Sequence, residues 1–153
     1  MEVKESKMKR AVLLTLMALL ILSLPTQGKT ADVAHPEFSR IKADELKQLM
    51  DKKSDFILVD SRDSEKYNLE HIEGALNIHY DPSGDPMVRK MTLMALPLDK
   101  LIIIYCGTEN EETSAGLVLD LYDMGCDMDS LKILSGGIAS WKAAGYPLAT
   151  AGN

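Results

Sequence analysis

The run LIIIYC at 101–106 constrains the fold more than any other stretch of the chain. Six successive apolar residues, rich in β-branched isoleucine and without the two-residue alternation of a half-wet strand, describe a central strand covered on both faces. Sheets covered on both faces are parallel and need helices between their strands. The surrounding sequence supplies that alternation. Residues 39–41 read as a short first strand, and 43–53 as a helix with Asp44 and Glu45 in its first turn and Leu46, Leu49 and Met50 on one face. FILVD at 56–60 reads as a buried strand and 75–78 as a further short one. Turn residues open the segment 81–97, after which Met87, Met91 and Met94 recur at helical spacing; one helix is predicted there, its methionines filling core. Core filling is far the commoner role of such a row than metal binding, and no His or Cys accompanies it. Residues 113–124 form a predicted helix closed by Gly125, LKIL at 131–134 a last strand, and 138–145 a terminal helix ended by Gly145 and Pro147. The fold class that follows is α/β, a parallel sheet flanked by helices.

With 153 residues, 46% of them hydrophobic, the chain suits one such domain and rules out disorder. Its beginning reads differently. A charged decapeptide is followed by 15 apolar residues at 11–25, ending in Pro25, and then by small and polar residues. That is the layout of a secretory signal, and the run is shorter than the roughly 20 residues of a spanning helix. The expected organisation is a signal peptide at 1–28 cut after Gly28, a flexible lead-in at 29–37 and a domain at 38–150. The protein is then exported, periplasmic or secreted; the alternative is an uncut anchor that tethers it through residues 11–25. Loss of 1–28 leaves 13 basic and 21 acidic side chains, a net charge of −8. So acidic a surface repels phosphate backbones and anionic membranes, which excludes nucleic acid as a partner and membrane binding by the mature domain.

In parallel sheets, ligands sit beyond the carboxyl ends of the strands. Cys106 ends the most apolar strand, and seven residues of loop then lead into a helix. A loop curled around the thiol turns backbone N–H groups inward and the helix N-terminus adds partial positive charge, both favouring thiolate, the nucleophilic form. The alternative is a small buried hydrophobe. Cys126 lies at the far end of that helix, about 18 Å away along twelve residues, whereas a disulfide needs Cα atoms within roughly 7 Å. No disulfide is expected.

Four segments, in order, resemble the single-domain rhodanese-like sulfurtransferases. They are Asp60-Ser61-Arg62 with Glu65 and Tyr67, the box from His71 to Ile78, the strand end Tyr105-Cys106, and 134–141 followed by Gly145-Tyr146-Pro147. The resemblance spans about Phe38 to Leu148. It implies a doubly wound, mostly parallel five-stranded sheet with helices on both faces, and a persulfide carried on Cys106 with no metal or organic cofactor. Its partners are a small sulfane-sulfur donor or a protein persulfide or thiol. Covalent capture of this kind divides one transfer into two easier steps.

The substrate-binding loop, Gly107, Thr108, Glu109, Asn110, Glu111, Glu112 and Thr113, departs from the common pattern: it holds three carboxylates and no arginine. Cys106, Asn110, Glu111, Ser114 and Ala115 do match a variant loop of the form Cys-x-x-x-Asn-Glu-x-x-Ser-Ala. Acids beside the thiol raise its pKa and repel a dianion, by about 1 to 4 kcal/mol per close pair, so thiosulfate is disfavoured as donor. The other reading of Glu111 and Glu112 is support of the helix start. The phosphatases that resemble this family use Cys-x5-Arg, but Glu112 stands at the arginine position and no arginine follows in the domain, so phosphate-ester hydrolysis is excluded. Asp60 and Arg62 are expected as supporting groups, Arg62 pairing with Glu65 or another nearby carboxylate. His71 is read as structural, Trp141 as core, and Gly136 and Gly137 as points where backbone passes close to the active loop. Two functions remain open: a sulfurtransferase or sulfur carrier working through Cys106, or a non-catalytic binding module whose acidic loop recognises a partner.

Overall fold

The computed structural model describes residues 35–107 and 110–152. The segment expected as signal peptide and most of the lead-in lie outside them. Five strands form one sheet: β1 (Arg40–Ile41), β2 (Phe56–Asp60), β3 (Leu76–Asn77), β4 (Leu101–Tyr105) and β5 (Leu131–Leu134). Their order is β1-β5-β4-β2-β3 and each neighbouring pair is parallel. The helices are α1 (Ala43–Asp51), α2 (Ser64–Leu69), α3 (Pro86–Leu93), α4 (Glu112–Asp123) and α5 (Gly137–Ala143), with a 3-10 turn at Met128–Ser130. The sheet is wholly parallel where a mostly parallel one was expected.

β4 shows why the LIIIYC run fixes this architecture. Its side chains alternate between two separate cores, Ile102 and Ile104 in one, Ile103 and Tyr105 in the other. The first core takes Leu93 from α3 and Leu117, Val118 and Leu121 from α4; the second takes Leu46 from α1 and Ile138 and Trp141 from α5. A strand covered on both sides has no polar face to alternate with, hence the unbroken apolar sequence. Trp141 is 1% exposed and satisfies its indole by donating Nε1–H to the carbonyl of Pro147 at 2.8 Å.

One helix faces the other way from the sequence expectation. Met87, Met91 and Met94 are 65%, 66% and 71% exposed, so they do not fill core. The helix buries Leu93 instead, with Leu96 just beyond it, and its two cations turn toward α4, where Arg89 pairs with Asp120 and Lys90 with Asp123. A spacing of four and three residues identifies a stripe but not which stripe is inside. The leucine stripe, anchored by ion pairs across to α4, wins. The chain also forms α2 where no helix was expected; it is six residues long, buries no side chain fully and so leaves no apolar period to read.

Among the described residues no helix is long and apolar enough to cross a membrane.

Candidate active site

The carboxyl ends of β2 and β4 lie side by side, Asp60 opposite Tyr105. Each strand delivers one polar turn to the same rim of the sheet. After β4 comes Cys106, 1% exposed. Among the described buried apolar residues it alone belongs to neither core. Its carbonyl accepts the N–H of Ile138 at 2.8 Å, which fastens the loop start to the first turn of α5. That approach requires glycine at 137: a Cβ there would stand 2.3 Å from the Cys106 carbonyl oxygen, and the residue has φ +56°. The expectation that this glycine pair lets backbone pass close to the loop is met at Gly137.

The loop's other end is tied to β2 and β5. Thr113 Oγ1 and Ser61 Oγ share a hydrogen bond of 2.9 Å, and Ser61 donates both its N–H and its hydroxyl to the Tyr105 carbonyl, at 2.9 and 3.0 Å. Glu111 stands immediately before α4 in a left-handed conformation, φ +58°, and is 1% exposed. Its Oε1 accepts the N–H of Gly136 and its Oε2 accepts Nε–H of Arg40 on β1, each at 2.8 Å. Two roles were open for this acid, repelling charge at the thiol or supporting the helix. The structure gives it a third, since its side chain makes no helix cap and instead clips the loop to β1 and to the turn after β5. Arg40 lies 71 residues away in sequence, and no local pattern signals the pair. Glu112 is exposed in the first turn of α4, as helix support requires. Asn110 is exposed and its side chain faces Glu112 at 3.5 Å. Thr108 and Glu109 fall outside the described residues. Ser114, buried completely, carries the one side-chain polar atom, among the described residues, that is buried without a hydrogen-bond partner.

Asp60 and Arg62 form a closed buried pair. The Asp60 carboxylate accepts the Arg62 backbone N–H at 2.9 Å, Nε–H at 3.0 Å and Nη2–H at 2.6 Å, and Nη2 also donates to the Glu70 carbonyl at 2.6 Å. Burial opposes the guanidinium charge, but the hydrogen bonds and field of Asp60 outweigh it and push the Arg62 pKa up. The carboxylate partner is thus Asp60 and not Glu65. Burial above all, with the Asp60 charge added, drives the Tyr105 phenol far above its ordinary value; it stays neutral and accepts the Ile72 N–H at 3.0 Å. His71 is structural as expected: its Nδ1 meets the Tyr67 carbonyl at 2.9 Å, its ring stacks on Tyr67, and its backbone bridges to Ala149.

A cleft of about 860 Å³ opens over this rim. Gly107 and Thr113, one from each end of the loop, line it together with Ile138, whose N–H holds the Cys106 carbonyl. Arg62, Lys66 and Lys142 bring positive charge to its wall. Lys66 is paired with Asp63 and Lys142 with Glu70, so the charge is largely balanced locally. Cys106 itself sits behind the wall. No sequence motif marks Lys66, His79, Tyr80 or Lys142 as cleft residues, although His79 and Tyr80 directly follow the box that ends at Ile78. The two free cysteines, Cys106 and Cys126, form no disulfide, in agreement with the helix-length argument.

Asp63 caps α2, accepting the Lys66 N–H at 2.9 Å and its ammonium at 2.8 Å, and these bonds lower its pKa to about 2. A carboxyl depressed on folding stabilises the fold above its unfolded value and loses that contribution as pH falls through the folded value. Carboxyl-carbon NMR should therefore find Asp63 ionised down to about pH 2, and the α2 amides should lose their capped shifts only there. A midpoint at the ordinary aspartate value of about 4 would refute the cap.

A model of the family described as Rhodanese-like domain matches residues 42–144, most of the described fold. The chain belongs to the rhodanese-like domain family. Solved structures agree. This rhodanese-like domain is similar to a Bacillus halodurans protein (24% identity, 73% of this chain and 77% of that one, TM-score 0.63) and to the rhodanese-like domain of an Anabaena protein (26% identity, 72% and 78%, TM-score 0.59). It also shares the fold of SseA from Escherichia coli, whose structure is described under 3-mercaptopyruvate sulfotransferases (19% identity, 74% of this chain and 52% of that one, TM-score 0.60). The chain thus spans about half of that longer protein. No curated protein sequence matches it. The five-stranded, doubly wound architecture implied by the four sequence segments is the one this rhodanese-like domain has.

Proposed function

We propose that this rhodanese-like domain is a sulfurtransferase or sulfane-sulfur carrier that holds its cargo as a persulfide on Cys106. The observation that carries the reading is the placement of this cysteine. It ends the central strand outside both apolar cores, and the loop that follows is pinned at both ends, by Ile138 to the Cys106 carbonyl and by Ser61 to Thr113. Fixing both ends of a loop lowers the ordering cost of binding at it. The likeness in fold to SseA and to a thiosulfate sulfurtransferase from Pseudomonas aeruginosa supports the same class of reaction.

The Cys106 thiolate attacks the outer sulfur of a donor R–S–S⁻. An S–S bond forms between the cysteine sulfur and that outer sulfur, the donor's S–S bond breaks, and R–S⁻ leaves. An acceptor thiolate then attacks that outer sulfur and restores the cysteine thiolate, so no external oxidant or reductant enters. With Glu111 already committed to Arg40 and Gly136, the remaining loop acids disfavour a compact dianion such as thiosulfate more than a polysulfide-bearing thiol or a protein persulfide, and we take the latter two as donors. If residues 1–28 are a secretory leader, the reaction takes place in the periplasm or outside the cell.

The burial of Cys106, at 1% exposure, favours the second reading, a binding module with an unreactive cysteine. Intact-mass spectrometry separates the two. Incubation with a polysulfide or glutathione persulfide should add the mass of one sulfur atom, removable by thiol reductant and absent in Cys106→Ser. No adduct from any sulfane donor would leave the binding module standing.

A further inference from the structure

We propose that the exposed methionines of α3 form a binding site for a soft monovalent metal ion, Cu(I) or Ag(I). The core-filling role that normally accounts for a methionine row is gone, since Met87, Met91 and Met94 are all about two-thirds exposed. The other described methionines behave as usual: Met124 and Met128 pack on one core and Met50 on the other. Among the described methionines, exposure is thus confined to this stripe, next to which Val88 is exposed as well. At about 100° per residue the three side chains fall within about 60° of one another around the helix axis. Met91 is the middle member, about 6 Å along the axis from Met87 and about 4.5 Å from Met94. Met94 continues the helical backbone as the cap residue, with φ −60° and its N–H bonded to the Lys90 carbonyl at 2.9 Å.

Three flexible thioethers on successive turns are able to converge on one ion above Met91. Thioethers select soft, low-coordinate cations and reject Mg²⁺ and Ca²⁺, which take oxygen ligands. The cations of the helix do not intrude, because Arg89 and Lys90 are drawn toward Asp120 and Asp123 on α4. Thioethers also do not titrate. The site therefore keeps its ion in mild acid, where histidine sites release theirs.

The probe is Ag(I) as the nitrate, in chloride-free buffer at about pH 5.5 and pH 7, added to full-length protein labelled with ¹³C at the methionine methyl groups. The methyl signals of Met87, Met91 and Met94, assigned by single leucine replacements, should shift together on one binding curve at both pH values. Those of Met50, Met124 and Met128 should stay in place. Per-residue signals separate this site from silver held by the two thiols. In native mass spectrometry the triple variant M87L/M91L/M94L, which alters only exposed positions and keeps good helix formers, should carry one silver ion fewer than the parent. The proposal fails if the three methyl signals stay still or follow separate curves. It also fails if the triple variant keeps the full silver count, or if the same shifts arise without metal as protein concentration rises, which would mean a second copy covers the stripe.

Discussion

Gly137→Ala should be among the most destructive single-methyl additions in this domain, lowering stability by about 3 to 5 kcal/mol. Two costs add. Alanine at φ +56° pays for a left-handed backbone, about 1 to 2 kcal/mol. The larger cost comes from its Cβ, which would sit 2.3 Å from the Cys106 carbonyl oxygen, a backbone atom with no rotamer to escape into. Relief requires α5 to back away, which breaks the Ile138 N–H bond to that same carbonyl. Gly136→Ala is the matched control. Its backbone strain is similar at φ +72°, but its new methyl meets only the Ser140 side chain, at 3.1 Å, and about 1 to 2 kcal/mol should be lost. Urea unfolding of both variants measures the difference; equal losses would show that the contact with Cys106 contributes nothing. If the loop is the sulfur-carrying element, Gly137→Ala should also slow persulfide loading in whatever fraction remains folded.

The Glu111 clip gives the second large effect. Removing one member of a buried ion pair strands the other, typically at 3 to 5 kcal/mol. Here Arg40 keeps some solvent and a bond to the Phe38 carbonyl at 2.8 Å, so Glu111→Ala should cost about 2 to 3 kcal/mol. Glu111→Gln keeps an acceptor for the Gly136 N–H but turns an amide toward Nε of Arg40, and should lose about half as much. A double-mutant cycle with Arg40→Ala should show a coupling of about 1 to 3 kcal/mol. Strict additivity would mean that the clip is a contact without energetic content. A test of function travels with it: if Glu111 positions the loop, the loading rate in Glu111→Gln should fall more than its stability loss accounts for.

What the sequence made legible followed the range of each interaction. The LIIIYC strand was plain because burial on both faces writes itself into every residue of the run. α4 was plain because its apolar residues occupy most of its circumference. Cys106 was legible as a candidate through its place at a strand end, and Asp60 and Arg62 through their place at the neighbouring one. One short helix was not. α2 has six residues and buries none of them fully, too few for a period to emerge, whereas the two-residue β3 falls inside the strand read at 75–78. The inward stripe of α3 was misassigned because methionines and leucines offer two apolar stripes on one helix, and the choice is made by Asp120 and Asp123 on another. Glu111 shows the limit most clearly. Its acidity was visible, but its partner comes from β1 and from the turn after β5, and long-range pairing leaves no mark at either position.

The grip on the cysteine loop draws on both extremities of the domain, Arg40 from its first strand and Gly136 to Ile138 from its last turn. A chain made from its N-terminus presents Cys106 after Arg40 and Ser61 but before the turn that follows β5. Until α5 arrives, the loop start lacks the Ile138 N–H and Glu111 lacks that of Gly136. The setting of Cys106 is thus finished only by the last turn of the fold, and a product cut short ahead of residue 136 holds the cysteine in a half-built loop.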